Sequence, residues 1–170
     1  MIYIIVATKI EAQAFVERYK LKKSKFKNSV SYKNDNLHVI ISGVGVEKAK
    51  SKAIELKEML KSADKVLNVG IAGADKNFKI GECLKISKVL YKDNSIKLNE
   101  ENLYVLTTVD RAVDNKEFKG IVDMEAFGIA KILKNFDLDI YKIVSDNFEP
   151  KKVTKDFAKK IIFKNLEKIL

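Results

Sequence analysis

The first strand-like segment of this chain is apolar at every position. Residues 2–7 read Ile-Tyr-Ile-Ile-Val-Ala, without the apolar and polar alternation of a half-exposed strand. A strand of this kind has both faces covered, as in sheets that carry helices on each side. The opening of the chain therefore favours a layered α/β fold.

Segments of strand and helix character alternate along the rest of the chain. We predict a helix over 10–19, a hairpin of 28–33 with 36–42, a helix over 46–60, strands over 66–70 and 83–90, a loop over 91–102, strands over 103–108 and 119–123, a helix from Met124 to about Asn135, a strand over 140–145, and a final helix with Thr154 as its N-cap. This order predicts a three-layer sandwich around a central mixed, mostly parallel β-sheet. We expect the 170 residues to form one domain.

The formal net charge of +10 raises the question of a nucleic-acid partner. Arg18 and Arg111 are the only arginines among 33 basic residues, whereas bidentate recognition of phosphate and guanine favours arginine. The lysines are spread along the chain and interleaved with acids, which is typical of a solvated basic face. We therefore expect no nucleic-acid partner.

The lengths of the apolar runs and the counts of cysteine and histidine disfavour membrane proteins, disulfide frameworks and metal sites. No apolar run approaches the roughly 20 residues that a membrane-spanning helix needs, so no membrane partner is expected. Cys83 is the only cysteine, which excludes a disulfide framework and a cysteine zinc site. His38 alternates with apolar residues in a strand and is interpreted as structural. We expect no metal and, by default, a cytoplasmic location.

Three carboxylates stand at the ends of predicted strands. Asp146 ends the run Tyr-Lys-Ile-Val-Ser-Asp, Glu11 follows the first strand, and Glu125 follows the short strand that ends near Asp123 and opens a helix. Substrates of open α/β sheets bind at this edge. The alternative for each acid is a helix cap or first-turn carboxylate that only complements the helix dipole. Their shared position suggests an acid/base site.

Two glycine turns also follow strands. Ser42-Gly43-Val44-Gly45 lies between a strand and a helix, and Asn68-Val69-Gly70-Ile71-Ala72-Gly73 follows another strand. Glycines of this kind let the backbone approach a ligand, but backbone geometry alone explains either turn about as well. Neither turn is specific by itself.

The order of these features is more specific than any one of them. Taken with Phe78-Lys79-Ile80-Gly81-Glu82, Val122-Asp123-Met124-Glu125-Ala126 and Ser145-Asp146, the chain resembles the purine nucleoside phosphorylase/nucleosidase superfamily. It is most similar to the methylthioadenosine/S-adenosylhomocysteine nucleosidases. The resemblance covers most of the chain and implies a nucleoside phosphorylase-like fold.

The resemblance also implies a role for each matching residue. Asp146 would donate a proton to N7 of a purine, which suits a buried carboxyl because burial disfavours its charged form. Glu125 would bind the ribose hydroxyls, and the backbone of Met124 would lie against the ribose. Glu11 would take a proton from the attacking water, which Ser42 would help to place.

The chain departs from the family pattern around the base. The segment between residues 90 and 103 is shorter, and Ala112 stands where the family usually stacks a phenylalanine, which leaves Val113 and nearby amides as base contacts. Gly73, in the second glycine turn, is the remaining predicted substrate contact. The departures allow a different substrate such as a futalosine-like nucleoside, a pocket completed by another protomer, or a degenerate enzyme.

Water and phosphate are the two candidate nucleophiles. Neither arginine lies in a recognisable phosphate-binding position, and Ile71 replaces the small hydroxyl residue common in the glycine turn. We therefore predict hydrolysis of the N-ribosidic bond of a purine nucleoside without a cofactor. Phosphorolysis and nucleoside binding without turnover stay open as alternatives. The implied partner is a small-molecule nucleoside, and the resemblance allows a homodimer.

Overall fold

One mixed sheet carries helices on both of its faces in the computed structural model, which describes residues 1–99 and 104–170. Within these residues the strands are β1 (Ile2–Val6), β2 (Lys22–Phe26), β3 (Ser29–Lys33), β4 (Leu37–Ile41), β5 (Lys65–Ala74), β6 (Cys83–Tyr91), β7 (Asn94–Lys97), β8 (Tyr104–Thr108), β9 (Ile121–Asp123) and β10 (Asp137–Asp146). The helices of the same residues are α1 (Lys9–Tyr19), α2 (Val46–Lys57), α3 (Ala126–Leu133) and α4 (Lys155–Ile169).

Strand β5 is the centre of the sheet. It pairs in parallel with β1 on one side and with β10 on the other, and β1 continues in parallel to β4. Beyond β4 the sheet ends in the antiparallel strands β3 and β2. On the other side β10 leads through β6, β8 and β9 back to the end of β5, so these five strands close into a ring.

The core is divided between the two faces of the sheet. On one face, Ile4 of β1 belongs to a core cluster with Phe15 of α1 and Ile162 of α4. On the other face, Ile5 of β1 belongs to a second cluster with Leu56 of α2 and Ile129 of α3. The predicted three-layer α/β sandwich with a mixed sheet is thereby confirmed. Thr154 caps α4 as predicted, because its hydroxyl oxygen accepts a hydrogen bond from Phe157 N at 3.2 Å.

Two strands had no predicted counterpart. The structure places β2 before the predicted hairpin, and it places β7 inside the stretch 91–102, for which the prediction of a loop was wrong. Both strands are dominated by lysine and small polar side chains, so neither shows the alternation that identifies a half-buried strand. Residues 100–103, which include the predicted start of a strand at Leu103, lie outside the described residues.

The parallel strands place several predicted residues at one edge of the sheet. Because β1, β4, β5 and β10 run in the same direction, their carboxyl ends lie together. The chain segments that follow these ends form the candidate site. No helix of the described residues is long and apolar enough to cross a membrane.

Candidate active site

A cavity of about 390 Å³ opens at the carboxyl edge of the sheet. Its volume lies within the range of roughly 300 to 1,000 Å³ that is usual for small-molecule sites. Glu11, Glu125 and Asp146 all line it, although they lie far apart in the sequence. Asp123 is a fourth acid of the wall, and most of the remaining wall is apolar.

Glu11 has a structural and a cavity-facing role at once. It is the third residue of α1, and its Oε2 accepts hydrogen bonds from Thr8 N at 2.7 Å and Thr8 Oγ1 at 3.1 Å, as in a capping box. Its Oε1 accepts a hydrogen bond from Ile71 N at 3.3 Å. Burial raises the pKa of Glu11, and the Lys142 ammonium and these hydrogen bonds oppose the rise. The capping alternative is therefore realised, and the carboxyl still faces the cavity.

Glu125 is held by the first glycine turn. Gly45, with φ of 103°, donates its N–H to Glu125 Oε1 at 2.9 Å. A side chain at this φ is strained, which accounts for the glycine. Burial and the neighbouring Asp123 charge raise the pKa of Glu125 to about 7, while Lys142 and the Gly45 N–H act in the opposite direction. A group of this pKa exchanges its proton near neutral pH.

Asp123 caps α3 in place of Glu125. Its Oδ2 accepts hydrogen bonds from Glu125 N at 3.2 Å and Ala126 N at 2.8 Å, and its Oδ1 accepts one from Thr108 Oγ1 at 2.7 Å. Glu125 makes no side-chain capping bond to α3. The carboxyl of Glu125 is therefore left to face the cavity.

Asp146 ends β10 opposite Gly73 of β5. Its Oδ1 accepts a hydrogen bond from Glu149 N at 2.8 Å, and its Oδ2 lies 2.6 Å from Ser145 Oγ. The same hydroxyl lies 3.1 Å from Ala72 O. A hydroxyl carries one proton, so Ser145 donates to one of these two acceptors at a time, and the shorter contact is the one with Asp146.

Lys142 is the functional candidate that sequence reasoning missed. It is 1% exposed, and its Nζ lies 2.8 Å from Asp123 Oδ2. Burial lowers the pKa of Lys142, yet the charges of Asp123, Glu125 and Glu11 together raise it above the ordinary value. Lys142 is therefore a buried cation that balances part of the negative charge beneath the cavity.

Gly70 allows Glu11 and Lys142 to approach each other. A Cβ on Gly70 would lie 3.0 Å from Glu11 Oε1 and 3.5 Å from Lys142 Nζ. The first of these distances is shorter than ordinary van der Waals contact. Gly70 and Gly73 lie within β5, so the prediction of a second glycine turn after the strand was wrong, because the strand continues to Ala74. In the strand, Gly70 leaves room for the charge cluster.

The other predicted site residues divide into two groups. Gly73, Val113 and Met124 line the cavity, and Ala112 lies beside Val113 in the same wall. Ser42 does not line it: its hydroxyl lies 2.9 Å from Gly43 O and 3.2 Å from Val6 O. The predicted placement of water by Ser42 therefore has no support in this geometry.

No protein-family model and no curated protein matches the chain. Solved structures do match it in fold. A 5'-methylthioadenosine/S-adenosylhomocysteine nucleosidase from S. pneumoniae, with a transition-state inhibitor, has a TM-score of 0.82 at 15% identity, covering 99% of this chain and 96% of that chain. The futalosine hydrolase of Helicobacter pylori has a TM-score of 0.80 at 19% identity, with 98% and 95% covered. A 5'-methylthioadenosine/S-adenosylhomocysteine nucleosidase from Neisseria meningitidis, in complex with methylthio-immucillin-A, has a TM-score of 0.73 at 18% identity, with 98% of each chain covered. The chain therefore has the nucleoside phosphorylase/nucleosidase-like fold.

Proposed function

We propose that the protein hydrolyses the N-ribosidic bond of a purine nucleoside. The observation that carries this proposal is the convergence of Glu11, Glu125 and Asp146 on one cavity of suitable volume. Glycosidic bond cleavage needs a proton donor for the leaving base and a proton acceptor for the nucleophile. The nucleosidase-like fold supports the same reaction class.

Each acid has one step in the proposed reaction. Asp146 donates its proton to N7 of the purine as the C1′–N9 bond breaks and its electron pair passes to the base. Glu125 accepts hydrogen bonds from the ribose hydroxyls, and these contacts strengthen as positive charge develops on the sugar. A water molecule bonds to C1′ and passes a proton to Glu11, whose raised pKa makes it a better acceptor. Met124 and Gly73 contact the ribose and base from the wall, and Val113 contacts the base.

Water is the better nucleophile for this cavity. Among the described lining residues there are four carboxylates and no arginine, and Arg18 instead pairs with Glu167 on the surface. Lys155, at an exposed position of the wall, is the one cation among these residues, and a single ammonium group does not offset four carboxylates around a phosphate dianion. The cavity therefore favours water over phosphate.

The metabolic role, the cellular location and the oligomeric state are part of the same proposal. A methylthioadenosine-like substrate would make the protein an enzyme of methionine salvage. We place it in the cytoplasm, where a lone thiol such as Cys83 stays reduced. We also propose a homodimer, on the basis of the resemblance to the nucleosidase family.

Asp146→Asn is the substitution that tests this proposal. Adenine release from methylthioadenosine without phosphate should fall by about 100-fold or more in kcat/KM, because a general acid contributes roughly 10²- to 10⁴-fold. Release is followed by chromatography, and circular dichroism verifies the fold. Asp35→Asn, in an exposed turn, is the matched control and should retain full activity.

The same assay distinguishes the alternatives. Strict phosphate dependence with a sugar 1-phosphate product would replace hydrolysis with phosphorolysis. Ligand-induced thermal stabilisation without base release from any purine nucleoside would show a binding protein. Full activity of Asp146→Asn would exclude the proposed acid.

A further inference from the structure

Lys155 is the one cationic side chain among the described residues that line the cavity. It is the first residue of α4, and Thr154 and Ala158 of the same helical end line the cavity with it. We call this part of the lining, Thr154, Lys155 and Ala158, the helix wall. The helix wall supplies the ammonium group, whereas β9, β10, the N-terminal end of α3 and the first turn of α1 supply the carboxylates.

Lys155 has no ion-pair partner among residues 1–99 and 104–170. Its neighbours differ in this respect: Lys151 lies 3.7 Å from Asp114, Lys152 lies 2.9 Å from Glu149, and Lys159 lies 2.9 Å from Glu17. None of the cavity carboxylates lies within ion-pair distance of Lys155 either. Its ammonium group is thus available to a ligand.

The proposed reaction assigns two of the three parts of a nucleoside to other residues. Asp146 holds the base, and Glu125 holds the ribose hydroxyls. The substituent on C5′ is the part left for the helix wall. A cation there attracts a negative charge, and since the wall is exposed, salt would weaken the attraction.

We propose that the cavity selects nucleosides whose 5′ substituent ends in an anion, with Lys155 as the specificity-determining residue. This inference rests on the proposed function, because it takes the base and ribose positions from it. The shared chemistry is a terminal carboxylate or phosphate.

The test compares three adenosine derivatives on the intact protein. The 5′-carboxymethylthio compound carries the charge, the 5′-carbamoylmethylthio compound has nearly the same size without it, and adenosine 5′-phosphate represents the second anion. The native protein should prefer the carboxylate over the amide by about three- to fivefold in kcat/KM, mainly through KM, as expected for an exposed ion pair. The preference should fall to about one in Lys155→Met and should shrink with added salt. A phosphate preferred over the carboxylate would assign the site to a compact dianion and would support the same inference.

Lys160→Met is the matched control, since Lys160 is exposed on the same helix and does not line the cavity. It should leave the preference unchanged. Equal rates for acid and amide in the native protein, or a preference that persists in Lys155→Met, would overturn the inference while leaving the nucleosidase proposal intact. Absence of adenine release from all three compounds and from methylthioadenosine would instead overturn the nucleosidase proposal. The thermal shift produced by the acid and the amide would then still measure the charge preference.

Discussion

At the scale of single residues, the buried charges beneath the cavity do not balance. Glu11, Asp123 and Glu125 are buried carboxyls, and Lys142 is the buried cation that faces all three. One ammonium group cannot neutralise three carboxylates, so the cluster favours a retained proton, consistent with the pKa of about 7 at Glu125. Removing the ammonium should therefore be more costly than removing a surface lysine.

Lys142→Met is expected to lower the free energy of unfolding by about 3–5 kcal/mol, because it leaves buried carboxylates without their cation. Urea denaturation at neutral pH measures the change. Lys65→Met is the control: Lys65 makes ion pairs with Asp137 and Asp139 at the surface, and its loss should be worth about 1 kcal/mol or less. In a double variant with Asp123→Asn the losses should be less than additive. Equal effects of Lys142→Met and Lys65→Met would show that the buried pair is not a distinct contributor.

The sequence indicated the acids of the site better than their partners. Glu11, Glu125 and Asp146 follow strand ends, which a linear pattern can locate. Lys142 lies within a strand, and its surroundings depend on the separate chain segments that supply Asp123 and Gly70. The available signal was its register, since Lys142 shares a face of β10 with two core residues, Ile140 and Val144.

At the scale of elements, the close crossing of α2 and α3 positions Glu125. A Cβ on Gly128 would lie 2.3 Å from Val46 O and 3.1 Å from Lys50 N, so α3 can approach α2 this closely only with glycine at this position. The crossing brings the start of α3 beside Gly45, which binds Glu125. The sequence does not indicate this role of Gly128, because a glycine inside a helical pattern only weakens the prediction of a helix.

Gly128→Ala should destabilise the protein by about 1–3 kcal/mol, although alanine is the better helix former by about 1 kcal/mol, because the methyl group separates the helices. Nucleoside hydrolysis should fall with it, since α3 carries Glu125 at its start. Thermal unfolding and adenine release measure the two effects. Lys131→Ala, at an exposed position of the same helix, should change little. A stabilised Gly128→Ala protein would show that the helices can separate at no cost.

At the scale of the whole molecule, the arrangement of the sheet makes the free energy of unfolding depend on the protonation of the site. The parallel strands collect acids that are far apart in the chain, and burial between the layers raises the pKa of Glu11 and of Glu125. A carboxyl whose pKa is higher in the folded state stabilises that state while it keeps its proton. The layered α/β fold was predictable from the strand and helix patterns. The ring closure through β8 and β9 was not, because short strands pair according to the whole sheet.

Glu125→Gln tests this link between pH and stability. Between about pH 4.5 and 7 the unfolded chain loses the Glu125 proton that the folded protein retains, so this group's contribution to the free energy of unfolding falls as pH rises. Relative to the native protein, the free energy of unfolding of the variant should therefore increase by about 1–3 kcal/mol from pH 5 to pH 8. Glutamine can still accept the hydrogen bond from Gly45 N–H through its Oε1. Urea denaturation of both proteins across this range measures the difference, and the variant should lose most of its hydrolysis. Burial and the charge of Lys33 lower the pKa of His38, so below pH 6.5 its contribution to the free energy of unfolding rises with pH. Because His38 is present in both proteins, this contribution cancels in the difference between them. Glu117→Gln, an exposed control, should show no gain. A difference between the native protein and Glu125→Gln that stays constant from pH 5 to pH 8 would mean that Glu125 does not change its protonation there.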